Sequence, residues 1–222
     1  MHLGSHMIGG VIKVASPQRD RLTISLFGRL LGRGLLITLF LLFAWSNFAH
    51  WRATGRPSGF GITSLEAWVA VLFLFRRSAQ QLSRSALAWV AAPIGTFAML
   101  LARPEGHGLP QLPCEVLQFA GVAFALVSLG TLGRSFGLVA ANRGVQTRGP
   151  YALVRHPAYA GYLLTYLGYL AENPAPRNIA LLVVGTAFQL VRIREEERVL
   201  SGAEDYREYR GAVRFRLVPY VY

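Results

Sequence analysis

Apolar residues fall into six runs along the 222-residue chain, and short polar segments separate the runs. The first four runs approach the ~20 residues that an α-helix needs to cross a bilayer, while the last two are shorter. The pattern predicts an all-α, polytopic integral membrane protein with about five to six transmembrane helices, the last two forming a C-terminal helical hairpin. The runs are Leu35–Trp51, Gly59–Phe75, Ser85–Ala102, Glu115–Gly133, Pro157–Ala171 and Ile179–Val191.

The composition agrees with a membrane protein. Hydrophobic residues make up 53% of the chain and charged residues only 15%, well below the ~25% of an ordinary soluble domain. The net charge of +12 raises the alternative of a nucleic-acid partner. The basic residues flank the apolar runs instead of forming one patch, however, which favours membrane lipids as the partner and argues against nucleic acid.

The basic residues also predict the topology. With a cytoplasmic N-terminus and six crossings, nineteen of the 23 lysines and arginines fall on the inside, as the positive-inside rule requires. We therefore expect an inner-membrane protein with both termini in the cytoplasm. The polar 134–155 loop and the charged tail then lie on the same, cytoplasmic side. The four basic residues left outside are Arg52, Arg56, Arg103 and Arg177.

The chain divides into three parts. Residues 1–7 end in Gly4-Ser5-His6-Met7 and are typical of an expression scar. Residues 8–110 hold the N-terminal transmembrane helices. Within this part, the segment from Leu22 to Leu31 comes before the first of these helices and could lie on the membrane as an amphipathic helix. Residues 111–222 carry the candidate chemistry. Cys114 is the only cysteine, so the sequence predicts neither an internal disulfide nor a cysteine-based metal site, and no other metal-ligand spacing is visible.

The most informative polar stretch runs from Arg148 to Gly161, between two apolar runs. Pro157 suits the first turn of a helix and biases His156 away from helical geometry. Tyr151 and His156 are therefore expected on a structured loop that ends at a helix N-terminus, where free N–H groups can receive an anion. The alternative is a juxtamembrane loop whose arginines and tyrosines anchor the helix at the lipid interface.

Two further features lie near this stretch. Arg192 and Glu196 are four residues apart, so they share one face of a helix that continues from the last apolar run. Taken alone they could be a surface ion pair, yet acidic residues next to an anionic leaflet suggest a cationic ligand. Glu66 lies inside the second run, where a carboxylate is expensive, and either has a function or reaches water near the outer end. Tyrosines recur at spacings of three and four from 159 to 169; we assign most of them to packing or an interfacial belt, with Tyr159 as the exception.

In combination, these residues resemble the isoprenylcysteine carboxyl methyltransferase family, a broad membrane group that also includes phospholipid N-methyltransferases and small-thiol S-methyltransferases. The resemblance covers about residues 112–220. It rests on the following pattern: Gly149-Pro-Tyr151, Arg155-His-Pro-x-Tyr159-x-Gly161, Arg192-x-x-x-Glu196-Glu197-x-x-Leu200, Tyr206-x-x-Tyr209 and Pro219.

The resemblance implies a cytoplasmic pocket for S-adenosylmethionine, made from the polar loop, the final hairpin and the tail. It implies that Arg192 faces the methyl acceptor as the catalytic residue. Among the three adjacent glutamates, Glu196 is chosen for the cofactor because it follows Arg192 by four residues. The remaining residues implied to bind the cofactor are Arg143, Gly144, Val145, Gln146, Tyr151, His156, Pro157, Ala158 and Tyr159.

Chemistry is compatible with these implied roles. An aromatic face can stabilise a sulfonium cation, a helix N-terminus can receive a carboxylate, and an arginine fork can hold an acceptor carboxylate. The expected activity is methyl transfer to a small or lipid-like acceptor, with carboxyl O-methylation of an isoprenylcysteine-like substrate favoured. The alternatives are a phospholipid N- or thiol S-methyltransferase, an NADPH-dependent membrane reductase of the wider superfamily, and a small transporter subunit.

Overall fold

The computed structural model describes residues 17–104 and 108–222, with side chains from Leu30 onwards. Residues up to Leu35 form a separate unit, and all contacts below belong to the compact unit Leu36–Tyr222. The helices are α1 (Pro17–Thr54), α2 (Pro57–Phe75), α3 (Ala86–Phe97), α4 (Gln111–Leu132), α5 (Pro157–Glu172), α6 (Pro176–Leu200) and α7 (Glu204–Ala212). Two-residue strands β1 (Gln81–Leu82) and β2 (Ala141–Asn142) pair antiparallel.

Proline sets the start of three helices. Pro57, Pro157 and Pro176 occupy the first turn of α2, α5 and α6, where the missing N–H costs nothing and the fixed φ suits a helix. Pro93 lies inside α3, which ends four residues later and continues as a 3₁₀ turn over Ala98–Leu101. The six predicted apolar runs thus all coincide with helices, and the all-α prediction is confirmed.

In the part of the chain that the structure describes, three helical segments are long and apolar enough to cross a membrane: Leu30–Thr54, Pro57–Phe75 and Gln111–Ser135. The segment Ala86–Leu101 is apolar but shorter. By length and composition, then, three of the predicted six crossings qualify, and the full span count stays a prediction.

Contacts between segments far apart in sequence define the two ends of the helical unit. At one end, here called the loop end, the Arg77 amide donates to the Arg134 carbonyl and the Gln80 amide to the Asn142 carbonyl. At the opposite end, the far end, the Gly108 amide donates to the Glu172 carbonyl. The 134–155 loop and the tail after α6 therefore meet at the loop end.

Glycines bring α4 and α5 into close contact. A Cβ on Gly161 would lie 2.7 Å from the Ala125 nitrogen, and one on Gly168 would lie 2.8 Å from the Gln118 side chain. Such distances are shorter than any real Cβ contact, so only glycine permits this approach. The α5 and α6 helices follow each other as predicted, but α5 packs mainly on α4 and α6 packs mainly on α3. The cavity described below lies among these helices.

Several expectations concern residues outside this description. The proposed scar at residues 1–7 lies outside the described residues. The same holds for the side chains of residues 22–27 and 29, which belong to the predicted interfacial helix. The tail contains an element that the sequence pattern does not predict, the amphipathic helix α7. Helix α6 continues nine residues beyond the predicted apolar run, so Arg192 and Glu196 do share a helix, as expected.

Candidate functional site

A large cavity runs through the compact unit and has a volume of about 520 Å³. Its walls come from α1 to α6, the 134–155 loop and the tail. It extends from the loop end, at Glu196 and Tyr206, to the far end, at Arg56 and Glu172. A cavity of this size suits a small-molecule or cofactor site.

Ten of the eleven residues implied to bind the cofactor or the acceptor line this cavity. Pro157 is the exception, since it is fully buried where α5 begins. The structure therefore brings together one compact set at the loop end. The lining residues of the predicted set are Arg143, Gly144, Val145, Gln146, Tyr151, His156, Ala158, Tyr159, Arg192 and Glu196.

Arg192 is held from both sides of the cavity. Its Nη1 donates to Thr96 Oγ1 of α3 at 3.0 Å, and its Nη2 donates to the Gly137 carbonyl at 3.0 Å. The guanidinium carbon lies 5.1 Å from the centre of the Tyr159 ring, a cation–π distance. Arg192 is buried, and its Nε has no protein partner. The two bonds use two of the five N–H donors of the guanidinium, and the buried Nε is a donor nitrogen without a protein partner.

The three adjacent glutamates have different partners. Glu195 is buried, pairs with Arg198 and does not line the cavity. Glu197 is buried in an ion-pair network that includes Arg155. Glu196 lines the cavity and accepts a 3.0 Å hydrogen bond from the Tyr159 hydroxyl.

Within the described part of the chain, Glu196 has no ion-pair partner, so the reading of Arg192 and Glu196 as a surface ion pair is wrong. Their side chains bond to different neighbours. Glu196 is the one member of the glutamate triplet whose carboxylate faces the cavity without a bound cation.

Glu197 joins the tail to the start of α5. Its Oε1 lies 3.1 Å from Arg155 Nη1 and 3.3 Å from His156 Nε2, and its Oε2 lies 2.9 Å from Arg216 Nη2. Burial raises the pKa of Glu197, but hydrogen bonds from His156 and Arg216 and the nearby positive charges outweigh it and bring the pKa down to about 2. A backbone hydrogen bond connects the same two segments, since the His156 amide donates to the Arg216 carbonyl. The tail is thereby fixed against the helix start.

Three tyrosines close the cavity at the tail side. Tyr151, Tyr206 and Tyr209 form one buried cluster, and the Tyr209 hydroxyl donates to the Tyr151 carbonyl at 2.7 Å. The Tyr206 hydroxyl is buried without a partner, although the residue lines the cavity. Burial raises the pKa of Tyr206, so the phenol stays neutral and keeps its proton to donate.

Arg143 contributes a further unused donor. Its guanidinium lies against Gly137, where an added Cβ would overlap it, and its Nε has no protein partner. Burial lowers the pKa of Arg143, while the charge of Glu196 opposes that effect. No side chain caps the start of α5. Buried donors without partners thus cluster around the loop end of the cavity, which is the arrangement expected of a site for a polar ligand.

The far half of the cavity differs from what the sequence pattern predicts. All four tyrosines of the stripe on α5 line the cavity, which the sequence pattern predicts only for Tyr159; they are Tyr159, Tyr162, Tyr166 and Tyr169. Tyr162 also packs against the hydrophobic core, so the packing role is confirmed for that residue. Glu66 also faces the cavity and is buried, with Asn47 Nδ2 donating to its Oε2 at 3.0 Å. It therefore does not simply reach water at a helix end. His50 lines the same region.

Some wall residues carry no signal in the sequence. Thr96 and Gly137 hold Arg192, yet nothing in the pattern of α3 or of the loop indicates them. Tyr206 and Tyr209 belong to the family pattern, but their spacing gives no role. Among the described residues, no group of three or more His, Cys, Asp or Glu side chains could hold a metal ion.

Comparison with known proteins finds a family whose model matches part of this chain. The model of the isoprenylcysteine carboxyl methyltransferase (ICMT) family matches residues 115–202. One similar solved structure is described as the eukaryotic intramembrane Ras methyltransferase ICMT (isoprenylcysteine carboxyl methyltransferase) without a monobody. It is 16% identical, with a TM-score of 0.46, and the match covers 94% of this chain and 88% of that chain. No curated protein matches the chain. The resemblance to the isoprenylcysteine carboxyl methyltransferase family, predicted from the residue pattern, is thereby confirmed over residues 115–202, the stretch that includes Arg192 and Glu196.

Proposed function

We propose that this chain is a membrane methyltransferase that uses S-adenosylmethionine and methylates a lipophilic or small acceptor, with an isoprenylcysteine-like carboxylate favoured. The observation that carries the proposal is the position of Glu196. It is the carboxylate of the triplet that faces the cavity without a cation, and it shares the loop end with His156 and Arg192. The family match over residues 115–202 supports the same activity.

The donors and acceptors at the loop end fit the chemical groups of the cofactor. Glu196 suits an amine or ribose hydroxyls, and the uncapped start of α5 with Arg143 suits a carboxylate. The Tyr206 hydroxyl, which has no protein partner, adds a donor to the same wall. The ring of Tyr159 offers an aromatic face to a cation.

In this reaction the protein contributes mainly by aligning the acceptor with the cofactor and by excluding water. When bound, S-adenosylmethionine would supply an electrophilic methyl group, which the nucleophile of the acceptor would take by in-line attack as S-adenosylhomocysteine leaves. Arg192, fixed by Thr96 and Gly137, positions an acceptor carboxylate through its Nε, which has no protein partner. The tail excludes water at this end, because Tyr206 and Tyr209 are buried there. An ionised carboxylate needs no general base.

The middle of the cavity supports a lipophilic acceptor. Phe40, Leu65, Val69 and Phe97 line it, so an apolar chain can lie there away from water. The excess of arginines around the loop end favours the cytoplasmic side for this end, with both termini inside. We assign the protein to the inner membrane on this basis.

Calorimetric binding to detergent-purified protein tests the proposal. S-adenosylmethionine and S-adenosylhomocysteine should bind the wild type, and Glu196→Ala should weaken both by at least about tenfold, the loss expected for a charge-assisted hydrogen bond. Glu208→Ala is the matched control, since Glu208 is exposed on α7. Failure of the folded wild type to bind either compound would overturn the proposal, and binding of NADPH instead would favour a reductase.

A further inference from the structure

The far half of the cavity contains a buried carboxylate whose charge no cation balances. Glu66 on α2 is only 7% exposed and faces the cavity. Within the described residues, Asn47 is its hydrogen-bonding partner, at 3.0 Å, and no lysine, arginine or histidine forms an ion pair with it. A buried carboxylate with one neutral donor is costly, and it is the kind of group that a ligand with a positive charge stabilises.

Two other buried glutamates at the same end show the contrast. Glu172 pairs with Arg56 at 2.7 Å and also lies 3.4 Å from Gln118 Nε2. Glu115 accepts a 2.7 Å hydrogen bond from Gln111 and does not line the cavity. Glu172 and Glu66 both face the cavity, and among the described residues Arg56 supplies a cation to Glu172 whereas Glu66 has none. Glu115 has one neutral donor, as Glu66 does, but it lies outside the cavity.

The wall between Glu66 and the loop end is continuous. Helix α5 presents its tyrosine stripe along this wall, and seven residues separate Tyr159, beside Glu196, from Tyr166, which lies within electrostatic reach of Glu66. At 1.5 Å per residue this is roughly 10 Å along the helix. On the opposite wall, Ile62, Glu66 and Val69 recur at spacings of three and four, so one face of α2 turns to the cavity.

A plain hydrocarbon tail can lie along the apolar middle of the cavity, but it satisfies only that part of the wall. Its end would meet Glu66 and leave the carboxylate desolvated and unpaired. A chain that carries an amine at its distal end would place the ammonium against Glu66 while its reactive end reached Arg192. The phenol hydroxyls of the stripe would provide further hydrogen bonds along the chain.

We propose that Glu66, with Asn47, forms a second subsite that binds an ammonium group at the distal end of the methyl acceptor. An acceptor that uses both subsites is a two-ended amphiphile, with a nucleophile at one end and a cation at the other. This inference rests on the proposed function, because it assumes that the reactive end lies beside the cofactor.

Three probes of equal chain length test the subsite: dodecanoic acid, ω-hydroxydodecanoic acid and ω-aminododecanoic acid. Their binding is measured by calorimetry on the full chain in nanodiscs saturated with S-adenosylhomocysteine and, separately, without it. The wild type should bind the ω-amino compound at least about tenfold more tightly than dodecanoic acid. Membrane partitioning favours dodecanoic acid, so partitioning cannot produce this preference.

The variants assign the preference to one carboxylate. Glu66→Gln keeps the shape of the side chain, and it should reduce the ω-amino preference to less than about twofold while cofactor binding stays unchanged. Glu66→Leu, which also removes the oxygen atoms that accept hydrogen bonds, should likewise reduce the ω-amino preference. Glu115→Gln neutralises a buried carboxylate outside the cavity and should keep the full preference.

Several results would overturn the subsite. These are equal binding of the ω-amino compound and dodecanoic acid, binding of the ω-hydroxy compound as tight as that of the ω-amino compound, a preference that survives Glu66→Gln, or no binding of any probe. Absence of S-adenosylhomocysteine binding would instead contradict the methyltransferase proposal. The probe comparison without the cofactor would then still decide whether Glu66 binds an ammonium group.

Discussion

The hydroxyl of Tyr159 donates a 3.0 Å hydrogen bond to Glu196, and this bond links the first turn of α5 to the C-terminal part of α6 across the cavity wall. The same tyrosine ring lies under the guanidinium of Arg192. The side chain of Tyr159 therefore orients both Arg192 and Glu196, which lie four residues apart on α6. The proposed cofactor group and the proposed acceptor group are set by a shared neighbour.

A double-mutant cycle should reveal this coupling. Tyr159→Phe keeps the ring and removes the hydrogen bond, so we expect the Kd for S-adenosylhomocysteine to rise about two- to tenfold, the range for one hydrogen bond. In the background of Glu196→Gln, the same substitution should have a smaller effect. The measurement is calorimetry on all four proteins. Strictly additive effects would show that the bond does not organise the site.

Arg192→Lys should separate catalysis from cofactor binding. Lysine cannot reach both Thr96 and the Gly137 carbonyl in the geometry of the guanidinium fork, so we expect kcat for methyl transfer to fall roughly 10- to 100-fold. The Kd for the cofactor should change by less than about threefold. The acceptor is first found by transfer of a radiolabelled methyl group. Arg194→Lys, an exposed position on the same helix, should leave both quantities unchanged.

Tyr206 and Tyr209 are a matched pair with opposite expected behaviour. Tyr206→Phe removes a hydroxyl that has no protein partner, so thermal stability should be unchanged or higher while cofactor binding weakens. Tyr209→Phe removes the bond to the Tyr151 carbonyl and should cost about 1 kcal/mol of stability. Thermal unfolding and calorimetry on both variants distinguish the two roles. Equal destabilisation by both substitutions would argue that Tyr206 is only a packing residue.

The ion-pair network of Glu197 predicts that the stability of the folded protein depends on pH. The folded-state pKa of Glu197 lies at about 2, below the ordinary value of 4.5, so its contribution is present above pH 4.5 and is lost as the pH falls towards 2. Glu197→Gln should therefore be less stable than the wild type at neutral pH, by the order of a few kcal/mol, and the difference should narrow by more than half near pH 3.

Unfolding midpoints of the Glu197 proteins are best measured across this pH range in one detergent. Glu208→Gln, an exposed carboxylate on α7, serves as the control and should follow the wild type throughout. A difference that stays constant with pH would mean that the loss comes from packing and not from the charge of Glu197.

Close packing of α4 and α5 makes Gly161 sensitive to a single methyl group. Gly161→Ala would place a Cβ 2.8 Å from the Gly121 carbonyl oxygen, so we expect a loss of about 1–3 kcal/mol as the helices separate. Gly130→Ala in α4 is the control, because a Cβ there meets nothing within 4 Å and alanine favours the helix. Equal midpoints for the two variants would contradict the packing argument.

The sequence by itself determined the helices and the end of the helical unit at which the candidate site lies. Apolar runs and prolines at first turns depend on local physics, so all six runs appear as helices and α5 begins at Pro157. The Arg192–Glu196 spacing likewise places both residues on one helical face, whatever surrounds them. Because these features need only neighbours within a few residues, the pattern was sufficient to predict them.

Only the tertiary structure decided which polar groups face the cavity. The three adjacent glutamates cannot be told apart in the sequence. In the structure Arg198 pairs with Glu195 and Arg155 pairs with Glu197, while Glu196 has no ion-pair partner among the described residues. The tyrosine stripe has the period of any buried helical face, and α5 turns it to the cavity because glycines on its other side pack against α4. Partners such as Thr96 and Asn47 come from distant segments. Their choice depends on how helices pack, which local residue preference does not encode.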